Sequence, residues 1–157
     1  MTPAPWQVAW ITGAGSGIGR ALALDLARAG VKVAASARTQ ANLNQLAADS
    51  PAIDAYALDV TDRAGVARAV EAIESGLGPI DLAIFSAGAG RSLSGNKFDA
   101  ATVRETLEVN YMGVVHCLEA LLPRMIACGG GHIAIMASVA SYRGMARNAA
   151  YARQRPR

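Results

Sequence analysis

The chain has 157 residues, 52% of them hydrophobic, and a formal charge of +3. That length is one domain's worth, and that apolar content excludes a disordered chain. The positive charge does not make a nucleic-acid binder. Arg153, Arg155 and Arg157 supply all of it and leave residues 1–152 formally neutral, whereas a nucleic-acid-binding domain carries its basic patch on a folded face.

Cys117 and Cys128 are the only cysteines, with no C-x-x-C and no His cluster beside them. They read as small buried or half-buried hydrophobes in a reducing compartment, not as a disulfide or metal ligands. The apolar stretch Trp6–Ile11 is too short for a signal core or a membrane span. The expectation is a cytoplasmic protein with no membrane and no nucleic-acid partner.

In chain order, short apolar runs alternate with helical periodicity. Gln7–Thr12 reads as a strand, and 17–29 as a helix with apolar residues at Ile18, Ala21, Leu22, Leu24 and Leu26, stopped at Gly30. Val31–Ala37 is a second strand, Asn42–Ala48 a short helix, and Ile53–Leu58 a third strand. Asp62–Ser75 is a helix with Gly76 and Gly78 after it, and Ile80–Ser86 a fourth strand. A long helix over Ala101–Cys128 stops at Gly129–Gly131, and His132–Ala137 is a fifth strand.

Continuous apolar strands separated by helices mean parallel strands buried on both faces. Right-handed crossovers then give an α/β fold with a doubly wound parallel sheet, Rossmann-like, in the spatial order 3-2-1-4-5. About five strands are accounted for. The dinucleotide-binding form of this fold carries at least one more, so C-terminal strands are expected to be missing. The domain reads as residues 1–151, an incomplete unit of this fold, followed by an aberrant basic tail at 152–157.

Thr12-Gly13-Ala14-Gly15-Ser16-Gly17-Ile18-Gly19 joins the first strand to the first helix. Glycines allow the tight turn and the close approach of a pyrophosphate, and the helix start offers it unpaired N–H groups and partial positive charge. The plain alternative is a turn that merely needs small residues. At the end of the second strand, where NAD-preferring folds hold the ribose 2′-hydroxyl with an acid, the chain has Ser36-Ala37-Arg38-Thr39. A guanidinium at Arg38 can pair with a 2′-phosphate in a bidentate fork, which favours NADP(H) over NAD(H). The other reading of Arg38 is a solvated arginine at a strand end.

The spacing T-G-x-x-x-G-I-G resembles the cofactor signature of the short-chain dehydrogenase/reductase family, and the likeness extends over residues 7–151. The resemblance implies that Gly13, Gly15, Ser16, Gly17, Ile18 and Gly19 bind the cofactor. It implies adenine contacts from Asp59 and Val60, although Asp59 also reads as a cap for the following turn. Ala87 and Gly88 stand in Ser86-Ala87-Gly88, where the family has Asn-Ala-Gly. The family's activity is hydride transfer between a nicotinamide and a carbonyl or secondary alcohol, without a metal.

Its catalytic residues map onto Asn110 in V-N-x-x-G, onto Ser138 at the end of the fifth strand, and onto Tyr151, 13 residues further on. By the resemblance, serine positions the carbonyl, tyrosine transfers the proton and the asparagine completes a proton relay. Ser141 and Tyr142 would line the substrate mouth, and His116 and His132 match no catalytic role. The family's lysine, four residues after the tyrosine, is here Arg155, and Pro156 follows it. With one choice of codons, deleting a single base turns Tyr-Gly-Ala-Ser-Lys-Ala-Ala into the Tyr-Ala-Arg-Gln-Arg-Pro-Arg found here, so a shifted reading frame is the expectation for 152–157. Partners would be a small-molecule carbonyl or alcohol, and intact relatives are homo-oligomers. The alternatives are an inactive truncated nucleotide-binding fragment and an interaction module that uses the basic tail.

Overall fold

The computed structural model describes residues 4–90 and 98–138. Strands and helices alternate as β1 (Val8–Thr12), α1 (Gly17–Arg28), β2 (Lys32–Ala37), α2 (Gln40–Ala48), β3 (Ile53–Ala57), α3 (Arg63–Leu77) and β4 (Leu82–Phe85). They are followed by α4 (Ala100–Leu107), a π-helical turn (Glu108–Met112), α5 (Gly113–Ala127) and β5 (His132–Ile135). The five strands form one parallel sheet in the expected order β3-β2-β1-β4-β5.

Alternation along the central strand divides the interior into two cores. Val8 and Trp10 point to the face covered by α3 and α5, where they meet Val66, Val70, Ile73, Leu121 and Met125. Ala9 and Ile11 point the other way, to Ala23, Leu43 and Leu46 of α1 and α2. Trp10 is fully buried; its indole N–H donates to Ser36 Oγ at 3.0 Å and its ring meets Phe85 edge-on. At the opposite end of the sheet, the Asp81 carboxylate accepts the backbone N–H groups of Gln7 and Val8 and pins the start of β1 to β4.

The predicted strands are one to three residues longer than the observed ones. Leu58 and Ser86 have already left the ladder for the turns that border the cleft described below. Gly76 sits inside α3, and the helix stops instead at Gly78, whose φ of 103° only glycine adopts readily. The single helix expected over 101–128 is interrupted by the π turn, which holds Asn110. Ile18 and Ala21 do not belong to the core face of α1: both are exposed, and Ile18 lines the cleft.

Cys117 is buried in the α3–α5 core, but Cys128, expected to be at least half-buried, is exposed where α5 ends. Burial pushes the Cys117 thiol up to about 12. Iodoacetamide at pH 8 should therefore alkylate Cys128 in the folded protein and reach Cys117 only after denaturation, as peptide mass spectrometry would show. The stability contributed by the neutral Cys117 thiol is complete below pH 9.0, where the unfolded thiol is also protonated, and is lost as pH rises toward about 12. Cys117→Ala should flatten that alkaline fall in a urea-denaturation series.

Candidate functional site

Because the sheet is parallel, the C-terminal ends of all its strands reach one edge, and the turns that leave them meet there. The turn after β1 lies against the turn after β4. A Cβ on Gly13 would stand 2.7 Å from the Cα and N of Ala87, and one on Gly19 only 2.5 Å from Gly13 O. Gly13 also has a φ of 71°. The two turns are laced by hydrogen bonds to Thr12: Ser86 N–H donates to Thr12 O at 3.2 Å, and Ala87 N–H to the Thr12 side-chain Oγ1 at 3.3 Å. On the other flank, Ala14 N–H donates to Ser36 O at 3.0 Å.

A cleft of about 350 Å³ opens above this junction. Of the residues predicted to bind a cofactor, Gly13, Gly15, Ser16, Ile18, Arg38, Asp59, Val60, Ala87 and Gly88 line it together. Gly17 and Gly19 do not: Gly17 starts α1, and Gly19 is buried beneath the turn. The cleft is also lined by Ser36, Ala37, Thr39, Asn42, Leu58, Ser86 and Val109, which motif reading missed. Ala37, Leu58 and Ser86 were within reach, as they end predicted strands. Asn42 and Val109 carry no local signal.

The first turn of α1 contains no acid, so nothing offsets the positive end of its dipole at the cleft. Ile18 is 61% exposed there, an apolar surface beside polar backbone. Arg38 is exposed on the rim, and among the described residues it makes no ion pair. Asp59 does what the plainer reading expected, since its Oδ1 accepts Thr61 N–H at 3.0 Å and Thr61 Oγ1–H at 2.8 Å. It nevertheless borders the cleft, so both readings of this residue describe the same place.

Asn110 is bonded at both ends of its side-chain amide to one residue. Nδ2–H donates to Ala89 O at 2.8 Å, and Oδ1 accepts Ala89 N–H at 2.7 Å. A Cβ on Gly88 would meet that Oδ1 at 3.4 Å. The side chain thus ties the segment after β4 to the helix at its π turn, a feature that often marks functional sites. Ser138 is half-buried and follows β5, whose neighbour Met136 still donates its N–H to Phe85 O at 3.0 Å. Tyr151, Arg155, Ser141 and Tyr142 lie outside the described residues. No group of three or more His, Cys, Asp or Glu side chains among the described residues could hold a metal, and no described helix is long and apolar enough to cross a membrane.

Residues 7–153 match the family model described as short chain dehydrogenase. An uncharacterized oxidoreductase of Myxococcus xanthus is 34% identical over 155 residues, which is 96% of this chain and 61% of that protein. D-threitol dehydrogenase of Mycolicibacterium smegmatis is 35% identical over 92% of this chain and 57% of its own length. Among solved structures, a variant of actinorhodin polyketide ketoreductase with NADPH superposes with a TM-score of 0.89 at 26% identity, covering 94% of this chain and 59% of that one. The chain spans 57–61% of the length of these two curated relatives.

The Gly13 contact and the Gly17 conformation make different demands. Gly13→Ala adds a methyl against backbone as well as a left-handed φ, and should cost about 3 kcal/mol. Gly17 has a φ of 55° but nothing within 4 Å of its Cβ position, so Gly17→Ala should cost only about 1–2 kcal/mol. Urea unfolding followed by tryptophan fluorescence would rank the two.

Proposed function

This chain belongs to the short-chain dehydrogenase family, and we propose that it forms the nucleotide-binding part of an NADP(H)-dependent oxidoreductase acting on a carbonyl or secondary alcohol. The observation that carries the cofactor preference is Arg38. It directly follows β2 on the rim of the cleft that the glycine-rich turn also lines, at the position where an acid would hold an unphosphorylated ribose. The relative solved with NADPH supports the same reading.

The residues present fit a dinucleotide. The cleft's lining crosses the strand ends and includes both Arg38 and Gly88. A Cβ on Gly15 would meet Ala37 Cβ at 3.1 Å and Asn42 Cβ at 3.4 Å, so a side chain there would fill the cradle. When bound, the nicotinamide supplies or accepts the hydride.

The chain's own residues do the rest. The N–H groups at the start of α1 hold the pyrophosphate, and the absence of an acid in that turn leaves their partial charge uncancelled. The Arg38 guanidinium forks onto the 2′-phosphate. Asp59 and Val60 border the adenine, and Ala87 and Gly88 leave room for the nicotinamide half. Asn110 keeps that room open by holding Ala89 in place. The Ser138 hydroxyl donates to the substrate oxygen, and the Tyr151 phenol gives or takes the proton there. The sugar-alcohol name of one relative is consistent with a small hydroxylated substrate.

Calorimetric titration with NADPH and NADH tests the assignment. Arg38→Ala should weaken NADPH at least about tenfold, the loss of a charge-assisted phosphate pair. NADH should stay within about twofold. Equal losses for both nucleotides would remove Arg38 from the 2′-phosphate.

A further inference from the structure

We propose that His116, on α5, is a positioning residue for the adenine end of the bound nucleotide. It clamps Val60 and so sets the shape of the Asp59–Thr61 turn that borders the cleft. This rests on the reading that the cleft takes a dinucleotide.

Val60 is held from α5 at two points. Its carbonyl oxygen lies 2.9 Å from His116 Nδ1. A carbonyl only accepts, so Nδ1 carries the proton and donates it. One helical turn earlier, Gly113 faces the Val60 side chain. A Cβ there would stand 2.6 Å from Val60 Cγ2, so the isopropyl group seats only because residue 113 has none. Residues three apart share a helix face, and these two grip the backbone and the side chain of a single residue. The neighbouring acid, Glu119, does not compete for the imidazole's Nδ1 proton, because its carboxylate is forked onto Arg63 at 2.6 and 2.7 Å.

The rest of the turn is tied elsewhere. Leu58 N–H donates to Ala37 O at 2.9 Å, which holds the entry to β2. Asp59 is bonded to Thr61 by its side chain and to Asp62 N–H by its carbonyl at 3.0 Å. Among the described residues, the hydrogen bond from α5 to this turn is the one from His116. Remove it and the turn samples shapes other than the one in which Leu58, Asp59 and Val60 face the cleft together. Nucleotide affinity then falls by the fraction of time the binding shape is lost.

The test is calorimetry on the whole chain with three probes: NADPH, adenosine 2′,5′-bisphosphate for the adenine half, and reduced nicotinamide mononucleotide for the other half. His116→Phe keeps a ring but has no donor. It should weaken NADPH and the bisphosphate by the same factor, about fivefold for one hydrogen bond, and leave the mononucleotide within about twofold. His116→Asn puts an amide N–H where Nδ1 stood and should return both affinities to within about twofold of the parent. If the Phe variant does not fold, His116→Ala takes its place against Asn. Unchanged binding of the bisphosphate by the Phe variant overturns the proposal. So does an equal loss in Phe and Asn, which would mark a packing role, or an equal loss for both halves, which would mark general loosening. A parent chain that binds neither NADPH nor the bisphosphate overturns the nucleotide reading itself, before any variant is compared.

Discussion

Two backbones meet at Gly13 and Ala87 with no space for a side chain between them. From this junction the chain leaves in opposite directions. After β1 it runs into α1, which packs with α2 on one face of the sheet. After β4 it runs on toward α4 and α5, of which α5 packs with α3 on the other. The divergence is what opens a crevice at the strand ends of a doubly wound sheet. Each further feature of the site uses it: Thr12 laces the two turns, Gly19 lies flat beneath the first, and the cleft runs outward from the seam.

The crevice has a polarity as well as a shape. One wall is the start of a helix with no acid in its first turn, and the rim carries an exposed guanidinium at Arg38. The carboxylate among the lining residues is Asp59, and one of its oxygens already accepts two hydrogens from Thr61. The cleft thus offers an anion the positive end of a helix dipole and one guanidinium, against the single carboxylate of Asp59.

Helix α5 does more than cover a sheet. The π turn that leads into it is where Asn110 grips Ala89, and its own first turn presents Gly113 and His116 to Val60. Two ion pairs, Arg63–Glu119 and Arg124–Glu74, then tie its length to α3. Such surface pairs add little stability each, but they keep α5 in register with the helix that follows the Asp59–Thr61 turn. Two segments that line or adjoin the cleft thus rest on this helical stretch. Its seating transmits to the Gly88–Ala89 segment and to the Val60 turn alike.

The sequence by itself determined the sheet, its strand order, the glycine-rich turn and the position of Arg38. Each of these is encoded locally. Strands buried on both faces need continuous apolar runs, helices between them need their own period, and a turn from strand to helix needs its glycines within a few residues. Individual strand ends differ by one or two residues, and at the end of β3 the difference arises because the apolar Leu58 continues the strand's run into the turn that lines the cleft. Only the tertiary structure decided how the cleft is braced. The π turn interrupts an otherwise regular helical pattern, and it coincides with the bonds of Asn110 to a backbone 21 residues away. His116, with no motif around it, reaches a carbonyl 56 residues away. Asn42 and Val109 come to the same cavity from different elements. Contacts of that separation leave no period or spacing in the chain, because the partner is chosen by how packed elements meet and not by the residues beside it.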